Sequence, residues 1–72
     1  MMQEIAAVAF LDADSGEEAL AIVRAGPAGI ALALSLQRDG DIEVVLKPRE
    51  AEALMAALGE AVIIASPPNE QG

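Results

Sequence analysis

Residues 30–37 read Ile-Ala-Leu-Ala-Leu-Ser-Leu-Gln, an unbroken alternation of large and small side chains. Side chains along a strand point alternately to its two faces, so this run reads as a strand with a leucine-rich face and an alanine-rich face. Residues 42–47, Ile-Glu-Val-Val-Leu-Lys, alternate as well, and Gln37-Arg38-Asp39-Gly40-Asp41 between them is a hairpin signal. Opposed residues of an antiparallel pair share a face. The pattern therefore predicts Leu36 against Ile42 and Leu34 against Val44. That register leaves a three-residue loop, Arg38-Asp39-Gly40, with Gly40 at its left-handed position.

The same matching extends upstream. A loop at Asp14-Ser15-Gly16 sets Phe10 against Leu20 and Val8 against Ile22. A turn at Gly26-Pro27-Ala28 sets Ile22 against Leu32 and Leu20 against Leu34. The result is a four-stranded antiparallel meander whose first face carries the large residues. Its second face carries Ala7, Ala9 and Leu11, then Ala19, Ala21 and Val23, then Ala31, Ala33 and Ser35, and finally Glu43 and Val45. Downstream, Pro48 can open a helix where no amide donor is needed, and Glu50 and Glu52 suit its positive end. Ala51, Leu54, Met55, Leu58 and Val62 recur at helical spacing, so this helix is expected to cover the apolar sheet face. Gly59 either ends it or is tolerated inside it; in the first case residues 61–65 form a short strand. The expected fold class is thus a small α+β domain over residues 1–65, with residues 66–72 as a flexible tail. The alternative is a β-α-β-β-α order. In it Ser15 to Glu18 is a capping box and residues 16–25 form a short helix, with Gly26 and Pro27 just beyond its end.

Size makes self-association the main functional expectation. The chain has 72 residues, and one this short buries only about 60% of its unfolded surface. Small domains make up the deficit with disulfides, metals or oligomerisation. There is no Cys and no His, which removes disulfides and the usual zinc and copper ligand sets. The alanine-rich second face then offers a contiguous apolar surface to another copy, through Ala7, Ala9, Leu11, Ala19, Ala21, Val23, Ala31, Ala33 and Val45. A dimer is the simplest form.

Charge narrows the partners. Four basic and twelve acidic residues give a formal charge of −8, which opposes binding to nucleic-acid phosphates or anionic membranes. Met1-Met2-Gln3-Glu4 lacks the basic start of a signal peptide, and Ala25 to Gln37 is too short to cross a bilayer, so a cytoplasmic location is expected.

Chemical sites are sparse. Asp12, Asp14, Glu17 and Glu18 form the densest acidic cluster and could hold calcium or magnesium weakly. An EF-hand-like loop starting at Asp12 fails, because its sixth position is Glu17 rather than glycine and its twelfth is Val23. Arg38, Asp39 and Asp41 mark a turn. Lys47 and Arg49 flank a helix start where Glu50 and Glu52 compete with any anion. Ser15, Ser35 and Ser66 have no base partner, and Glu43 stands alone in mid-strand. Gly26-Pro-Ala-Gly29 lacks the Lys and Ser/Thr of a phosphate loop. Neither catalysis nor a cofactor is expected.

Two stretches resemble known families. Residues 11–27, Leu-Asp-Ala-Asp-Ser-Gly-Glu-Glu-Ala-Leu-Ala-Ile-Val-Arg-Ala-Gly-Pro, resemble a strand–helix stretch of response-regulator receiver domains. That likeness implies the helix at 16–25 and a phosphoacceptor Asp ending the next strand, where Leu32-Ala33-Leu34-Ser35 stands. The β-β-β-β-α order resembles the single-stranded-DNA-binding Whirly and related coactivator domains, which assemble through this unit. The basic strand surface of such binders is replaced here by Glu18, Asp39, Asp41 and Glu43.

The sequence therefore points to a non-catalytic assembly module that self-associates, with room for an unidentified protein partner. The alternatives are an acidic protein that mimics nucleic acid to occupy a basic partner, and an oligomer whose groove binds a small ligand.

Overall fold

Each alternating run is extended in the computed structural model, which describes residues 2–66. The elements are β1 (Gln3–Leu11), β2 (Glu18–Gly26), β3 (Gly29–Leu36), β4 (Gly40–Leu46) and α1 (Pro48–Ala65). The strands form one antiparallel sheet in the order β1-β2-β3-β4, and α1 packs on its β3–β4 half. This is the expected α+β meander with one C-terminal helix. Residues 16–25 are not helical. Ser15 does not cap a helix; its Oγ accepts the Glu17 amide at 3.2 Å inside the β1–β2 turn. The tail expected at 66–72 lies outside the described residues from residue 67 on.

The pairing differs from the expected register at all three turns. Between β2 and β3 the loop is two residues long, Pro27-Ala28, with Gly26 opposite Gly29. Proline fixes φ near −65°, which excludes the turn types that need a positive φ at the first loop position. Gly29, with φ at 137°, turns the chain back into the sheet. A two-residue loop in place of a three-residue one shifts the pairing by one, so Leu32 faces Val23 and Ala33 faces Ile22. A one-residue shift exchanges the two faces of a strand. Ala19, Ala21 and Val23 therefore point to the side expected for Leu20 and Ile22.

The β1–β2 turn, by contrast, is one residue longer than expected. Asp12 amide donates to the Glu17 carbonyl at 2.8 Å, enclosing four residues, Ala13 to Gly16. The Asp12 carboxylate accepts the Ser15 amide at 2.8 Å and so starts the turn one residue early. Phe10 then faces Ala19 and Val8 faces Ala21, not Leu20 and Ile22. The two offsets cancel, and Val8 and Phe10 remain on the side of Leu32 and Leu34. At the third turn, Gln37-Arg38-Asp39 is the loop and Gly40, φ 86°, opens β4 opposite Leu36. Ile42 pairs with Leu34 and Val44 with Leu32, a shift of two residues that leaves every side chain on its expected face. Glu17 Oε1 holds the Arg38 amide at 3.1 Å and the Glu18 carbonyl holds the Gln37 amide at 3.1 Å, which draws this turn back toward β2.

The helix begins at Pro48, and the Glu50 carboxylate reaches back to accept the Lys47 amide at 3.0 Å. It runs through Gly59 to Ala65 without a break, so residues 61–65 continue it rather than form a strand. Of its residues only Ala51 is half-buried and the rest are exposed.

Two glycines give opposite expectations. A Cβ on Gly29 would lie 2.5 Å from the Leu46 carbonyl oxygen, at a φ that side chains rarely adopt. Gly29→Ala should therefore destabilise the fold by about 1–3 kcal/mol. Gly59 has open space around it within a helix, and Gly59→Ala should stabilise by about 1 kcal/mol. Urea unfolding of the two variants checks both signs; equal effects would contradict the turn geometry.

Candidate functional site

Cross-strand partners define two chemically different faces. On the first, the rows across the sheet are Phe10–Ala19–Leu36, Val8–Ala21–Leu34–Ile42 and Ala6–Val23–Leu32–Val44, with Ala25–Ile30–Leu46 at the far end. No charged strand residue points to this side. On the second face, Glu4, Glu18, Arg24, Asp41 and Glu43 stand among Ala7, Ala9, Leu11, Leu20, Ile22, Ala31, Ala33, Ser35 and Val45. All the charge of the strands is thus sorted to one side.

The first face has relief. Its β2 floor is mostly alanine, and its walls are the Val8 and Phe10 side chains of β1 and the leucines of β3. At the turn end this relief deepens into a concavity of about 390 Å³ lined by Phe10, Ala19, Leu34, Leu36 and Ile42, with Asp12, Asp39 and Asp41 also in its lining. Ala19 at its floor is buried, whereas Val8, Phe10, Leu34, Ile42 and Val44 at its sides are exposed.

Polar contacts cross the second face. Arg24 on β2 reaches over β3 to Glu43 on β4, Nη1 to Oε2 at 3.0 Å. The residues it spans are Ala31 and Ala33, small enough to pass beneath, and Ala31 is only 3% exposed. With the two side chains 35% and 50% exposed, the pair contributes less than about 1 kcal/mol. Its role is to cover the alanines. Beside it, Ser35 Oγ donates to Asp41 Oδ1 at 2.6 Å.

The residues expected to form one interface are therefore divided. Ala7, Ala9, Leu11, Ala31, Ala33 and Val45 share the charged face; Ala19, Ala21 and Val23 lie on the uncharged one. The groove and the outward positions of Leu20 and Ile22 were missed because both depend on the β2 register. The symmetric Gly-Pro-Ala-Gly of residues 26–29 was the signal for the shorter turn.

The acidic residues at the turns are engaged locally. Asp12 binds the Ser15 amide, while Glu17 turns to Arg38. Among the described residues no three such groups come together in a form that could hold a metal ion. Ser66 Oγ donates to the Val62 carbonyl at 2.7 Å, at the end of α1. No helix among the described residues is long and apolar enough to cross a membrane. No family model, curated protein or solved structure matches the chain.

The Ser15 backbone amide, and then the Ser15 side chain, hold the Asp12 carboxyl below the usual aspartate range. A lowered folded-state value means the turn's stabilisation is present above the unfolded value of about 3.9 and is lost as pH falls through the folded one. An NMR titration of the side-chain carboxyl carbon should give a midpoint below about 3.9, moving upward in Ser15→Ala. A midpoint at or above the ordinary value would contradict the turn geometry.

Proposed function

We propose that this protein is a non-catalytic, cytoplasmic assembly module that works by associating with copies of itself. One observation carries this reading: the single chain lacks a core. Among the described residues the buried apolar side chains are Ala19 and Ala31, while large ones from Ile5 to Ile64 remain in water. Natural monomers rarely leave so much contiguous apolar surface exposed. Ile63 and Ile64, 77% and 78% exposed at the end of α1, contribute nothing to the fold of one chain. The absence of His and Cys removes the commonest general base and the thiol nucleophile, and each serine hydroxyl is engaged with a carboxylate or the backbone.

Light scattering after size exclusion tests the reading. At tens of micromolar the mass should be at least twice the 7.4 kDa of one chain. A mass of one chain throughout that range would overturn it.

The sorting of charge favours a second reading of the opposite face. With the uncharged face covered, Glu4, Glu18, Asp41 and Glu43 would face outward together with the acidic turns. Such a surface suits a basic protein partner as nucleic acid does. Its binding to a basic DNA-binding protein should fall away as salt is raised; salt-resistant binding would contradict a charge-based contact.

A further inference from the structure

The uncharged face and the helix have matching lengths. The walls of the groove stand on β1 and β3, so a helix laid along β2 rests on both. The floor strand β2 has nine residues and α1 has eighteen. These lengths correspond to about 30 Å of strand and about 27 Å of helix. Ala51, Leu54, Met55, Leu58 and Val62 form one stripe along α1, and Glu60 falls on the opposite side at 100° per residue. A trough with apolar walls thus lies in the same molecule as a helix of fitting length with an apolar stripe.

The helix does not fill its own trough. It touches β3 and β4 and neither β1 nor β2. All residues of α1 except Ala51 are exposed in the single chain. We propose that α1 of a second copy lies along the groove between β1 and β3, each chain giving its helix to the other in a two-fold pair. The exchange is reciprocal, as a two-fold interface requires. The exposed apolar side chains of the groove walls and of the helix stripe, from Val8 to Val62, are between 40% and 68% in water, and a stable interface draws on the order of 800 Å² of such surface from each partner. This arrangement rests on the self-association reading and states which surfaces carry it.

Phe10 is the only aromatic residue, so its ring protons are unambiguous reporters of the groove wall. In a mixture of isotope-labelled and unlabelled wild-type chains, filtered NOE spectra should connect the Phe10 ring of one chain to Leu58 or Val62 methyls of the other. Leu58→Glu, at a residue exposed in the single chain, should raise the dissociation constant at least about tenfold. An oligomeric mass with intermolecular contacts only between helices, or only between β1 strands, would overturn the exchange and leave self-association standing. So would an unchanged dissociation constant in Leu58→Glu. A monomeric wild-type mass would remove both.

Discussion

The Pro27-Ala28 turn decides which way β2 faces, and most of the molecule's surface chemistry follows from it. Proline restricts the turn, Gly29 takes the positive φ that returns the chain, and a Cβ there would collide with the Leu46 carbonyl. With Gly26 held opposite Gly29, Leu20 and Ile22 join the face that carries Arg24 and Glu43, and the alanines of β2 go to the other. One backbone constraint thus separates a charged face from an uncharged one. It also turns a row of alanines from a flat patch into the floor of a groove.

That separation has an energetic consequence. A sheet buries its side chains only against a second layer, and here the second layer of the chain reaches just β3 and β4. The Arg24–Glu43 bridge lies over Ala31 and Ala33, while Leu11 and Val45 on the same face stay exposed. The other face, with Val8, Phe10, Leu34 and Ile42 in water, is half of a core. On the proposed reading, stability of the fold and association of copies are one equilibrium rather than two.

Much of this was legible in the sequence. The alternation of residues 30–37 and 42–47 marked β3 and β4, and the helical spacing from Ala51 to Val62 marked α1. Sharing of a face by Val8, Phe10, Leu32, Leu34 and Ile42 was also legible. The facing of β2 was not, because hydrophobic matching and turn chemistry disagree there. Matching Leu20 and Ile22 to the leucines of β3 needs three-residue loops on both sides. The Asp12 side chain lengthens one loop and the Gly26–Gly29 pairing shortens the other. Local backbone chemistry won because a strained turn is penalised in the single chain, whereas Leu20 stays half-buried on the face it joins. The proposed interface depended on that register, so its nine residues divide between the two faces. The continuation of α1 through Gly59 was undecidable from composition, since one glycine costs a helix only about 1 kcal/mol.

The central claim is that the uncharged face is completed by another copy. The thermal unfolding midpoint, measured across a roughly hundredfold range of protein concentration, tests it most directly, because partner binding to the native state makes the midpoint depend on concentration. The account predicts a midpoint that climbs steadily with concentration. A midpoint that stays constant over the whole range would contradict it.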